Sequence, residues 1–252
     1  MPKPKKIIYK KNFLTNVICR IDFAPIAEHA LKQNADNFTA KVSGVFPKRE
    51  VNNLVEYKAT VNKAQMIDER KEYPIYIFFD ENKTKKISLT FNHISIEFFK
   101  YQHFTEFDTI TKKVIASFIE LYKPSKYNRL GLRYINQIRL ETGNPFEWGR
   151  HIDSSLTYVV NKFLDNKEDV SRAMSQVVIN HDDYKVNFTY GFINSEFPAK
   201  IRRKEFILDF DFFTQDFNES NVFDCIERFN DEADGLFEKS IKDGLREIME
   251  VE

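Results

Sequence analysis

Hydrophobic and polar positions alternate with a period of two over residues 16–23, where Val17, Cys19, Ile21 and Phe23 oppose Asn16, Ile18, Arg20 and Asp22, and this predicts a first strand. Pro25 follows where a helix can begin, and Ala27, Leu31, Phe38 and Val42 recur at helical spacing up to Gly44 and Pro47. A weaker strand is predicted over 51–61. The aromatic and β-branched pieces 74–79, 86–92 and 94–101, separated by Asp80-Glu81-Asn82-Lys83 and Asn92-His93, predict an antiparallel meander.

Thr105 and Asp108 have the spacing of a capping box, and Phe107, Ile110, Val114, Phe118 and Leu121 continue it as a helix to Pro124. Residues 129–140 then alternate more strictly than any other stretch. Arg129, Arg133, Gln137 and Arg139 share one face, and Leu130, Leu132, Tyr134 and Ile138 share the other. A helix is predicted from Asn144-Pro145, with Ile152, Leu156, Val159 and Phe163 as its stripe. Strands over 172–180 and 184–193 flank the hairpin signal His181-Asp182-Asp183, and a further strand covers 205–213. A closing helix runs from Asn221 to Met249, roughly 40 Å at ~1.5 Å per residue.

These elements specify an α+β fold: antiparallel sheet with amphipathic helices packed on one face and a long C-terminal helix. Residues 94–122 and 206–237 repeat the order strand, aromatic turn, helix, so residues 1–252 read as one unit with two related sub-halves, 1–143 and 144–252, as an option. The 7 glycines and 8 prolines argue against freely moving domains. With 25 Phe and 11 Tyr, the chain can fill a large core.

Composition narrows the chemistry. Lys plus Arg equals Asp plus Glu at 38 each, so no global field draws the chain to nucleic acid or anionic lipid. Cys19 and Cys225 lack metal or redox spacing and suit a reduced, cytoplasmic interior, and neither a signal core nor a membrane-length apolar run occurs. No glycine-rich phosphate loop, dinucleotide fingerprint or kinase signature occurs either, so no cofactor is expected. The five histidines read as surface residues, and Trp148 beside Phe146 as a core anchor.

Three strands offer a charged face: Arg20 with Asp22; Arg129, Arg133 and Arg139; and Glu205, Asp209 and Asp211. The simplest expectation is that they are neighbours whose charges pair across strands. A first alternative uses Arg20, Arg129, Arg133, Gln137 and Arg139 as an anion-binding floor, since arginine forks hold phosphate and carboxylate in two-pronged fashion. Basic turns at Lys83, Lys85, Lys86 and at Lys200, Arg202, Arg203, Lys204, interleaved with aromatics, extend this to single-stranded nucleic acid. A second alternative makes Asp22, Asp209 and Asp211 hard oxygen ligands for magnesium or manganese in a nuclease or phosphotransfer enzyme.

Tyr9-x-x-Asn12-Phe13-Leu14 with Val17-Ile18-x-x-Ile21-Asp22-Phe23, the Phe46-Pro47 pair, Arg129-Leu130-Gly131-Leu132-Arg133-Tyr134-Ile135-Asn136, Leu208-Asp209-Phe210-Asp211 and Phe237-Glu238-x-Ser240-Ile241-x-x-x-Leu245 span nearly the whole chain. Together they resemble a sporadically distributed prokaryotic family of about this length. The resemblance implies one unit from end to end and an accessory gene, including mobile or antiviral-defence loci; it carries over no activity and no catalytic residue. Lys242-Asp243-Gly244 departs from a regular helix former near the chain's end. The expectation is a non-enzymatic binding protein with a protein partner or a second copy of itself, and no membrane contact.

Overall fold

The computed structural model describes residues 7–62 and 65–251, with side chains described for all of these except 56–70. The chain runs through β1 (Leu14–Phe23), α1 (Glu28–Val42), β2 (Lys48–Asn62), β3 (Gln65–Phe79), β4 (Lys85–Leu89), β5 (His93–Phe98), α2 (Phe104–Tyr122) and β6 (Tyr127–Leu140). It continues through β7 (Ala173–Asn180), β8 (Lys185–Phe192), β9 (Lys204–Thr214), α3 (Val222–Ser240) and α4 (Asp243–Met249). All the strands join one antiparallel sheet in the order β2-β3-β4-β5-β1-β6-β9-β8-β7.

The order follows a simple path. From β1 the chain leaves through α1 for one edge, returns by the meander β2 to β5 to lie beside β1, and crosses by α2 to β6 on the other side of β1. From β6 it leaves for the opposite edge, returns by the meander β7 to β9 to lie beside β6, and closes with α3. The second run of moves begins at β6, ahead of residue 144, and a long irregular connection stands where the first run has α1.

The period-two pattern fixes which face is covered. Val17, Cys19, Ile21 and Phe23 of β1, Leu130 and Leu132 of β6, and Phe206, Leu208, Phe210 and Phe212 of β9 are buried against one set of helices. Those helices contribute Leu31, Phe38, Ile115, Phe118, Ile226 and Phe229. Ring pairs such as Phe23–Phe118 at 4.8 Å, Phe98–Phe107 at 5.0 Å and Phe188–Phe210 at 4.8 Å fill the layer between them. Cys19 and Cys225 are buried free thiols. Among the described residues no helix is long and apolar enough to cross a membrane.

Three expectations are corrected. Thr105 does not cap α2: His103 occupies the N-cap without a side-chain bond, and Thr105 lies inside the first turn, its carbonyl accepting from the Thr109 hydroxyl. No α-helix spans 144–163; a tight turn is followed by a short 3-10 turn at Ser154–Thr157 and a wide turn at Val159–Phe163. The predicted stripe splits because Ile152 is buried in a bridge with Ile241, whereas Val159 and Phe163 are exposed.

The closing helix is also two pieces. The backbone of 241–244 is drawn onto the 150–152 segment, with Lys242 N donating to His151 O and Gly244 N to Arg150 O, both at 2.9 Å. A Cβ at Gly244 would stand 2.7 Å from Arg150 O, so glycine permits this approach. Ile241, Leu245 and Met249 bury the same side through the break, which is why the sequence reads as one continuous stripe.

Candidate functional site

The uncovered face of the sheet carries the predicted charges, and β1, β6 and β9 are consecutive strands. Arg133 donates from Nε and Nη2 to Asp209 at 2.8 and 2.6 Å, a fork on a carboxylate. Arg129 Nη2 donates to both oxygens of Asp211 at 2.8 and 2.9 Å, with its guanidinium 4.7 Å from the Phe213 ring centroid. Arg139 Nε lies 3.3 Å from Glu205 and its Nη2 donates to Gln137 at 3.0 Å. Arg20 turns along its own strand to Asp22 at 2.7 Å.

Arg139 pairs with Glu205 directly across from it, but the other two pairs are diagonal, and a glycine leaves room for this. Asp211 stands directly across from Arg133, yet Arg133 takes Asp209, and Arg129 reaches Asp211 instead. To get there the Arg129 guanidinium lies over Gly131, where a Cβ would come within 2.5 Å of Nη1. The glycine in the motif therefore serves as a floor for an arginine. Each such part-exposed pair contributes on the order of 1 kcal/mol or less.

The three aspartates are not gathered. Asp22 lies on β1, separated by β6 from Asp209 and Asp211, and among the described residues no three His, Cys, Asp or Glu side chains assemble as a metal-holding group. Most basic-turn cations also have local acids: Lys83 with Glu50, Lys85 with Glu106, Lys86 with Glu97, Lys200 with Asp169 and Arg203 with Glu196.

His93 is half-buried rather than a surface residue, standing across from Asp22 with Nδ1 2.9 Å from the Thr90 hydroxyl. Burial, and then the nearby Arg20, push its pKa from 6.5 down to about 4, with Asp22 acting in the opposite sense. The folded state thus holds the neutral ring. As pH falls below 6.5 the unfolded chain gains the proton first, so stability is present above 6.5, declines towards pH 4 and levels off there. His93→Gln is expected to remove part of the stability loss between pH 6.5 and 4, read as the difference in urea midpoints across that range; parallel pH profiles for the two proteins would contradict this.

The two edges of the sheet differ. β2 contains Lys48, Arg49, Glu50, Glu56 and Lys58, whereas β7, Ala173-Met174-Ser175-Gln176-Val177-Val178-Ile179-Asn180, has no charge and no proline. β7 pairs with β8 in unbroken register, and among the described residues no other main-chain hydrogen bond reaches it. Met174, Val177 and Val178 are exposed.

Sequence reasoning missed one grouping. By sequence Lys204 belongs to the basic turn and His151 to the surface histidines, but both line a cavity with Arg139 where β6 ends and β9 begins. The parity of β9 held the signal, since Lys204 shares the inward face of Phe206, Leu208 and Phe210. No family model matches the chain, and no curated protein matches it.

Proposed function

We propose that the protein is a non-enzymatic interaction protein that joins a second copy of itself edge to edge through β7, so that two sheets run on as one. The observation that carries this is the contrast between the edges. An open strand edge invites pairing, and folded proteins blunt it with charge, proline or bulges. β2 has the charges, and β7 has none of these devices along its length.

An antiparallel pair about a two-fold axis sets the same strand against itself, so an uncharged edge is its own complement, while β2 would set charge against charge in several registers. The carboxylates of the open face are already held by arginines, which supports a binding role over acid-base chemistry. Within this reading the protein is a cytoplasmic component of an accessory or antiviral-defence locus, supported by the motif resemblance and by two buried free thiols.

Light scattering on the 29.9 kDa chain is expected to give twice that mass, with slow amide exchange over 173–180. Val178 is 55% exposed, so Val178→Lys leaves the subunit folded by circular dichroism and yields the monomer with fast exchange there. A monomeric wild type with freely exchanging β7 amides, or a Val178→Lys protein that stays dimeric, would refute the reading. So would a wild type that is monomeric alone and whose β7 becomes protected only with a different protein.

A further inference from the structure

The charge ladder on the open face stops at Arg139–Glu205, and the next residue pair in register is Leu140 with Lys204. Lys204 is 8% exposed, and among the described residues no carboxylate lies within ion-pairing distance of its ammonium. Burial holds its pKa below the usual lysine range, with Glu147 opposing from farther off. Its contacts are the Trp148 ring, 5.4 Å from the ammonium, and the backbone at Gly143, where a Cβ would stand 3.2 Å from Nζ. Gly143, at φ +97°, both makes the turn and leaves that space.

An ammonium at the end of a largely buried side chain, without a carboxylate partner, is costly, and a fold that has no use for it gains by replacing it. Its surroundings say what it faces. Lys204 lines a cavity of about 520 Å³ together with Arg139 and His151. Arg139 spends Nε on Glu205 and Nη2 on Gln137, leaving Nη1 without a protein partner among the described residues. His151 Nδ1 is buried with no hydrogen-bond partner. The one carboxylate in the lining, Glu141, is exposed, while Phe13 and Ile248 supply apolar wall.

We propose that this cavity is a binding site for the oxyanion of a small organic acid or phosphate ester, held by Lys204 and Arg139, with His151 in its wall. Lys204 supplies a point charge and Arg139 a planar donor. The volume lies within the range usual for small-molecule sites and leaves room beyond the anion for a ligand body against the apolar wall. This site lies away from the β7 edge and does not depend on how the edge is used.

Calorimetric titration with inorganic phosphate and, separately, with benzoate tests it. At least one probe is expected to bind the wild type in the millimolar range or tighter, and Lys204→Met to weaken it by about tenfold or more. Phosphate alone binding assigns a phosphate ester; benzoate binding more tightly assigns a carboxylate on an apolar body. Lys204→Met is expected to unfold at the same urea concentration as the wild type or a higher one, because it removes an unpaired charge from a largely buried side chain while keeping that side chain's length. A Lys204→Met protein that is less stable gives the ammonium a structural role over Trp148 and overturns the proposal. Arg139→Gln, at a side chain 59% exposed, leaves the fold intact and is expected to weaken the same probe. No binding of either probe at roughly 10 mM, or binding equally strong in both variants, also overturns it.

Discussion

Gly191→Ala is expected to lower stability by about 3 kcal/mol or more, seen as a drop of roughly 6–12 °C in melting temperature and a matching fall in urea midpoint. Gly191 sits near the end of β8 at φ +146°, a region that side-chain-bearing residues rarely enter. It stands opposite Met174 in the β7–β8 ladder, and a Cβ there would be 2.1 Å from Ala173 O and 3.0 Å from Met174 Cα. Both obstacles are backbone, so relief requires moving a strand rather than turning a side chain. Gly235→Ala is the control: it lies within α3 and its Cβ would meet nothing within 4 Å, so it is expected to gain up to ~1 kcal/mol from helix propensity. Equal midpoints for the two variants would show that the β7–β8 end yields freely.

Trp148→Ala is expected to cost about 3–5 kcal/mol, the range for deleting a large buried aromatic. The ring is fully buried, 5.4 Å from the Phe206 centroid, and its Nε1 donates to Pro145 O at 2.7 Å. That bond closes the turn from which Ile152 reaches Ile241, so the loss extends to the seating of α4. Trp148→Phe keeps most of the packing and gives up the bond, and is expected to lose about 1–2 kcal/mol. Trp148 is the chain's one tryptophan, so circular dichroism must follow both variants, whereas in the wild type its fluorescence reports this end of the sheet alone. A Trp148→Ala midpoint within ~1 kcal/mol of the wild type would mean that the site collapses without penalty.

The central strands were legible because each buries one face, and a half-buried strand leaves its period in the sequence. The adjacency of β1, β6 and β9 was legible as well, since Arg133 and Arg139 call for acids and β9 offers Asp209 and Glu205 on a single face. Which acid each arginine takes was not. That choice turns on the space over Gly131, and a local pattern records the missing Cβ without recording what lies across it.

The segment 144–163 misled for a related reason. Its apolar spacing suits a helix, but Ile152 is claimed by Ile241, far along the chain, and a long-range bridge outranks local propensity. The break between α3 and α4 is the other side of the same contact. Lys204 was hidden by its neighbours, because a lysine beside Arg202 and Arg203 reads as solvated unless the strand is taken to begin at 204.

The central β1–β6 pair also sets the order in which the molecule can be assembled. Every other neighbour of β6 belongs to a later meander, and every other neighbour of β1 to an earlier one, so each meander closes through short loops while the seam between them spans the longest gap in the sheet. Closing distant segments is the slow, entropically costly step of folding. As the chain leaves the ribosome, β1 can pair with β5 but must keep its other side open until residues 127–140 emerge. Arg20 and Asp22 pair with each other within β1, so that strand carries a charged face which needs no partner from a strand not yet made.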